Sequence, residues 1–328
     1  MSSSKTRWGI LGAGNIAGTL ADAIRRSDRA ELVAVGSRRA ETAQAFAEKN
    51  GVPTAHGSYE DLLADPQVDV IYNSLPNGLH CESTVKIAEA GKHILCEKPL
   101  AVTVEDCDRM FAAADANGVL LMEAFMYRCH PQTARLRELV AEGCIGDLRL
   151  IHSTFSFFVS DPTNVRLSKP LHGGGLMDVG CYCTNFSRFI AGAEPVSVFA
   201  AARFGAESGV DENFAGTLAF DGGVFAQFDV GVKSAGRASA EIVGSTGRIL
   251  VPSPWKPGNQ ATVTVQDSSG THEVEMAGAS PYVLEVDHFS RCVTDGEQPL
   301  LSRADSTGNT RTICALLESA RTGEVVES

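Results

Sequence analysis

Residues Thr6 to Leu11 form a short apolar run that ends in Gly12-Ala13-Gly14-Asn15-Ile16-Ala17. Few patterns limit a fold so tightly, because a strand must turn sharply and open at once into a helix. Gly12 permits the tight turn, Gly14 lets backbone approach a pyrophosphate, and Ala17 is small enough for the helix to pack on the strand. Free N–H groups at the helix start then face phosphate oxygens. A helical pattern from Ile16 to Arg26 and a second strand from Glu31 to Val35 complete the unit. This context predicts a dinucleotide site with contacts from Gly12, Gly14, Asn15 and Ile16.

The second strand leads into Gly36-Ser37-Arg38-Arg39. A site built for NAD usually places a carboxylate here, on the ribose 2′-hydroxyl. A hydroxyl and a guanidinium suit a 2′-phosphate instead. The expectation is NADP rather than NAD, with Ser37 and Arg38 as contacts. Strand and helix patterns keep alternating, through Val68 to Asn77, then a helix to Gly91, and finally Val119 to Met122. The reading is a six-strand, doubly wound parallel sheet over residues 1–123, with Asn73, Leu75, Pro76 and Asn77 lining the cofactor cleft. His80, at the start of the next helix, is either a cofactor contact or a helix-start histidine satisfied by the backbone.

The apolar run His93-Ile94-Leu95 ends in Cys96-Glu97-Lys98-Pro99. Proline ends the ladder and permits a cis peptide bond before it. Glu97 and Lys98 therefore sit at the carboxyl end of a strand, where open α/β sheets bind ligands. A lysine there can orient a hydroxyl or carbonyl oxygen.

After Glu123 the pattern changes. Long alternating segments from Leu148 to Phe158, Val196 to Phe204, Asn213 to Phe220 and Gly223 to Val230 read as a large, mostly antiparallel sheet, continued by Ser239 to Val243, Arg248 to Val251 and Ala261 to Val265. Residues 124–328 thus form an α+β domain for substrate binding and oligomerisation. An apolar outer sheet face, with Phe155, Phe157, Phe225 and Phe228 as candidates, implies a homo-oligomer, a dimer or a tetramer. Two helices, Tyr282 to Asp295 and Ala304 to Ala320, end the chain, and the second is expected to pack back on the first domain. Between the sheet's first strands lies Gly173-Gly174-Gly175, followed by Asp178 and Tyr182. Their spacing of four puts both side chains on one helix face.

Of the 328 residues 44% are hydrophobic and 21% charged, and the net charge is −12. An acidic surface disfavours nucleic acid and anionic membrane as partners. No apolar run is long enough to span a bilayer. Met1 to Lys5 lacks the apolar core of a signal peptide, so the expected location is cytoplasmic. The nine cysteines show no metal-binding spacing, and no metal site is expected.

With the glycine turn, Glu97-Lys98-Pro99 and Gly173-Gly174-Gly175-x-x-Asp178-x-Gly180-x-Tyr182 in that order, the whole chain resembles the glucose–fructose oxidoreductase/inositol dehydrogenase (Gfo/Idh/MocA) family. The resemblance implies a Rossmann domain, a second domain with an open sheet, and NAD(H) or NADP(H). It implies that Glu97 and Lys98 contact cofactor, with Lys98 beside the nicotinamide and the reacting carbon. Many members carry histidine where this chain has Tyr182. The tyrosine form is similar to NADP-dependent xylose dehydrogenases, dihydrodiol dehydrogenases and sugar 3-ketoreductases. The expected reaction is hydride transfer between NADP and a carbinol or carbonyl carbon of a sugar or cyclic polyol. Tyr182 would be the acid/base, Lys98 would favour its tyrosinate form, and Asp178 would bind a substrate hydroxyl. The alternatives are a trans-dihydrodiol dehydrogenase acting on a non-sugar diol, and a non-catalytic NADP-binding sensor.

Overall fold

The computed structural model describes residues 5–327. The stretch Met1 to Ser4, part of the leader argument above, lies outside them. The described residues divide into two compact units, 5–129 with 280–306, and 130–279 with 307–327.

The first unit opens with β1 (Thr6–Leu11), α1 (Asn15–Arg26), β2 (Ala30–Gly36), α2 (Ala40–Asn50), β3 (Thr54–His56) and α3 (Tyr59–Leu63). It continues through β4 (Val70–Asn73), α4 (His80–Glu89), β5 (His93–Glu97), α5 (Val104–Ala116) and β6 (Leu121–Ala124). Among the described residues the strands form a six-stranded sheet in the order β3-β2-β1-β4-β5-β6, with every pair parallel. A parallel sheet covered by helices on both faces needs strands that are apolar almost throughout. Accordingly β4 is buried at all four positions, and Ile71, Ile94, Met110 and Leu121 belong to one core. Ser58 and Thr103 accept the Asp61 and Asp106 N–H groups at 3.0 and 3.1 Å, capping α3 and α5.

The second unit holds α6 (Pro131–Ala141), β7 (Leu148–Phe158), α7 (Cys181–Ala191), β8 (Ser197–Phe204), β9 (Asp211–Ala219), β10 (Phe225–Gly231) and β11 (Lys233–Gly244). It goes on with β12 (Arg248–Val251), β13 (Gln260–Asp267) and β14 (Gly270–Ala277). The chain ends with α8 (Pro281–Asp295), α9 (Arg303–Thr322) and β15 (Val326–Glu327). The nine-stranded sheet of the described residues runs β14-β13-β12-β11-β7-β10-β9-β8-β15. Only the β10–β7 pair is parallel.

Several features differ from the sequence expectation. It is α8 that belongs with the first unit, where Trp8 donates to Ser290 Oγ at 3.2 Å and meets Phe289 edge to face. Most of α9 belongs with the second, where Ser319 Oγ accepts from the Ala200 N–H. The strands β14 and β15 were not expected. Phe155 and Phe228 do not lie on the open sheet face. Phe155 stacks on buried Trp255, and Phe228 stacks on Phe214 beside Gly216, on the face that Leu316 of α9 covers. Phe157 is half-buried under the Arg166 guanidinium. Phe225 and Phe199 are exposed and share the open face. No helix among the described residues is long and apolar enough to cross a membrane.

Candidate active site

In the first unit, Gly12 has φ +103, and a Cβ there would lie 2.8 Å from Ser74 Oγ, so only glycine makes this turn. Gly14 caps α1 without any side-chain hydrogen bond, and the first turn carries no acidic residue. The N–H groups of Asn15 and Ile16 therefore meet no local carboxylate, as an anion-binding helix start requires. A Cβ built on Gly14 would meet nothing within 4 Å, so the backbone there is open to a ligand. An open groove of about 840 Å³ passes this turn, lined by Gly14, Asn15, Thr19, Arg39 and Lys49 among others.

At the end of β2, Ser37 is buried and its N–H donates to His56 O at 3.1 Å. Arg38 is exposed and hydrogen-bonds Tyr59, whose hydroxyl proton is nonetheless held tighter than usual by burial. No carboxylate occupies Ser37, Arg38 or Arg39. These residues put no acidic side chain against a bound dinucleotide.

The turn after β4 departs from expectation at two residues. Asn73 is fully buried, and its amide donates to Ser83 Oγ at 2.8 Å and Thr84 Oγ1 at 3.2 Å. His80 is fully buried as well. Its Nδ1 lies 3.0 Å from Pro99 O and its Nε2 2.7 Å from Leu75 O. Burial pulls its pKa down, so the ring is neutral, donates to one of these two carbonyls and packs against the other, between the two turns rather than toward a cofactor. Of the remaining residues in this turn, Leu75 is buried, while Pro76 and Asn77 are half-buried.

Beyond β5 the Lys98–Pro99 peptide is cis. Glu97 accepts from the Tyr72 hydroxyl and, at 3.3 Å, from the Lys98 N–H. Glu123, buried at the end of β6, accepts the Leu100 N–H at 2.8 Å. Both flanks of Pro99 are thus held by carboxylates, while Lys98 stays half-buried. Burial, followed by the charge of Glu97, raises the Tyr72 pKa well above its usual range. Glu285 of α8 was not foreseen. It is fully buried, and burial together with the Glu97 charge lifts its carboxyl well above the carboxylate range.

In the second unit, Leu176–Gly180 is a π turn that runs directly into α7. The Cys181 N–H reaches Leu176 O, five residues back, so the turn is wider than an α-turn. Asp178 therefore lies in the π turn and Tyr182 in the first turn of the α-helix, rather than in one regular helix. Arg166 Nε donates to Asp178 Oδ2 at 2.6 Å. The Tyr182 side chain sits among aromatic rings, edge to face with Phe155 at 5.5 Å and with Trp255 at 5.8 Å. Trp255 is anchored by its Nε1–H to Thr154 O at 3.0 Å. The phenol of Tyr182 is thereby fixed in direction, as an acid/base group must be.

Two residues that shape this region escaped sequence reasoning. Arg166 stands twelve positions before its partner Asp178 in a loop without periodicity. Asp211, at the start of β9, accepts the Leu176 N–H at 2.6 Å. The one trace of Asp211 in the sequence is the pair Gly174-Gly175 it packs against.

A dinucleotide-binding sheet followed by an antiparallel sheet that carries an Asp/Tyr turn defines a class of two-domain oxidoreductases. Residues 6–125 match an oxidoreductase family with an NAD-binding Rossmann fold, and residues 133–250 match the Gfo/Idh/MocA C-terminal domain. The chain is 36% identical over 324 residues to D-xylose 1-dehydrogenase (NADP⁺) 2 of Haloferax volcanii, covering 98% of this chain and 99% of that one. It is 33% identical to mouse trans-1,2-dihydrobenzene-1,2-diol dehydrogenase, covering 96% of each. The fold superposes with a TM-score of 0.91 on KijD10, a 3-ketoreductase of Actinomadura kijaniata solved with NADP and TDP-benzene, at 29% identity over 96% of this chain and 98% of that one. The chain belongs to the Gfo/Idh/MocA family of NAD(P)-binding oxidoreductases.

Proposed function

We propose that the protein transfers a hydride between NADP and a carbinol or carbonyl carbon of a sugar or related cyclic polyol. The observation that carries this reading is the Tyr182 phenol, fixed by Phe155 and Trp255 next to the π turn that bears Asp178. Gly12, Gly14, Asn15 and Ile16 hold the pyrophosphate, Ser37 and Arg38 the 2′-phosphate, and Leu75, Pro76, Asn77 and Glu97 the remainder of the dinucleotide. When bound, the nicotinamide supplies a two-electron hydride acceptor. Oxidation of a carbinol also releases its hydroxyl proton, which Tyr182 takes as the phenolate and so becomes the neutral phenol. Lys98 orients the reacting oxygen by its charge. Asp178, kept in place by Arg166, accepts from a neighbouring substrate hydroxyl. Similarity to a D-xylose 1-dehydrogenase, a trans-dihydrodiol dehydrogenase and a 3-ketoreductase supports the substrate class.

The rings of Phe155, Phe157 and Trp255 around Tyr182 favour a second reading, in which the substrate is a flat, non-sugar cyclic trans-diol. Exposed Phe199 and Phe225 support assembly into a homo-oligomer through the open face of the second sheet, and the net charge of −12 disfavours nucleic-acid and anionic-membrane partners. Tyr182→Phe tests the catalytic assignment. Turnover should fall by about a hundredfold or more while NADPH binding, followed by fluorescence, is retained. Turnover at the wild-type rate would remove Tyr182 from the mechanism.

A further inference from the structure

The π turn has no side-chain cap of its own, since Gly175 precedes it and offers none. Its cap comes from a distant strand. The carboxylate of Asp211, 35 residues downstream, accepts the N–H of Leu176 at 2.6 Å and also that of Gly175. Asp211 is itself 3% exposed. The contact leaves no room for other side chains. Gly174 adopts φ +118, and a Cβ on it would lie 2.1 Å from Asp211 Oδ1, while one on Gly175 would lie 3.4 Å from Asp211 Oδ2. Gly174 thus lets this carboxylate reach the start of the turn, while Gly173 is needed for a different approach, since a Cβ on it would lie 2.4 Å from Arg166 O. From the other side, the Gly174 N–H donates to Arg166 O at 2.8 Å, and Arg166 Nε donates to Asp178.

We infer that Asp211 is a positioning residue for the reaction: its ionised carboxylate holds the turn from Gly175 to Gly180 in the geometry that aims Asp178 and Tyr182. This rests on the catalytic assignment above and deepens it. An ionised carboxylate only accepts hydrogen bonds and strengthens them by its charge, whereas a protonated one loses that charge and part of its acceptor capacity. Burial pushes the Asp211 carboxyl up to about 7, against the pull of the Leu176 and Gly175 N–H groups and of Arg321. The other charged groups on neighbouring segments are Asp178 with its partner Arg166, Lys169 and His172 on the preceding loop, Glu212 beside it, and Lys233, which donates to Val159 O. The turn is therefore locked above neutrality and loosened below it.

The test uses the full-length protein and two readouts. The first is hydrogen–deuterium exchange of residues 173–180, corrected for intrinsic rate. In Asp211→Asn this segment should exchange about tenfold faster or more, while peptides of α1 stay at the wild-type rate. If that variant fails to fold, the wild-type protein decides, since protection of the segment should drop as pH falls through neutrality. Unchanged protection in the variant, or pH-independent protection in the wild type, overturns the inference. The second readout is the pH profile of kcat, with Tyr182→Phe measured alongside. The wild type should show an acidic limb near neutrality that disappears in Asp211→Asn, with kcat lowered and NADP affinity retained. A variant with wild-type kcat and an intact acidic limb overturns the inference. Full turnover by Tyr182→Phe instead overturns the catalytic assignment and leaves the exchange result standing.

Discussion

Arg166 Nε donates to Asp178 Oδ2 at 2.6 Å, and the same guanidinium lies 5.5 Å over the ring of Phe157. The pair links a loop to the π turn, so the direction of the Asp178 carboxylate depends on a residue outside the helix.

Replacing Arg166 by Gln should therefore act through Asp178. A hydrogen bond to a charged group contributes about 1.5–3 kcal/mol, and partial exposure of Arg166 places the effect at the low end, about tenfold in kcat/KM. The measurement is steady-state kinetics together with an NADPH titration. Weakened cofactor binding with unchanged kcat/KM for the second substrate would contradict the assignment.

Cofactor choice rests on Ser37 and Arg38. Ser37→Asp places a carboxylate where the 2′-phosphate is proposed to bind, and should lower kcat/KM for NADP⁺ by about ten- to a hundredfold while raising it for NAD⁺. The ratio of the two values is the readout. A wild-type protein that prefers NAD⁺, or a ratio unmoved by Ser37→Asp, would refute the NADP reading.

Glu285 predicts a pH dependence of stability. Its folded-state pKa is raised, so folding favours the protonated form. Its contribution is complete below the unfolded value of about 4.3 and is lost as pH rises toward the folded pKa. Glu285→Gln keeps the shape and removes the charge. The melting temperature of the variant should exceed that of the wild type by a margin that widens with pH across this window. Parallel melting curves at every pH would show that Glu285 ionises freely in the fold.

His80 makes the opposite case. Burial lowers its folded pKa, so stability is lost as pH falls through the unfolded value of about 6.5. His80→Ala removes a buried ring and its two backbone partners and should cost about 2–4 kcal/mol in denaturant unfolding. KM for NADP⁺ should hardly change in material that remains folded. A large rise in that KM with wild-type stability would restore His80 as a cofactor contact.

The first unit was legible because each of its signals is local. The turn after Leu11 and the apolar runs of a doubly covered sheet lie within a few residues of what they control. Most strands of the second sheet were legible for the same reason, since one face of each is buried and the alternation follows. β14 was not, because Gly270-Thr271-His272-Glu273 is an exposed polar stretch at a sheet edge, stabilised mainly by its pairing with β13. The face of Phe155 and Phe228 could not be assigned without knowing the register. The spacing of Asp178 and Tyr182 suggested a regular α-helix and carried no sign of the π turn that precedes α7. Asp211, Arg166 and Glu285 act over separations that leave no periodic trace.

The most direct test of the central claim is the appearance of reduced nicotinamide, followed by its near-ultraviolet absorbance, when purified protein is mixed with NADP⁺ and a panel of aldoses, polyols and trans-dihydrodiols, each repeated with NAD⁺ and with Tyr182→Phe. The account predicts NADPH formation with an aldose or polyol, faster than with NAD⁺ and abolished in the variant. Formation with NAD⁺ alone, or equal rates in wild type and Tyr182→Phe, would contradict it.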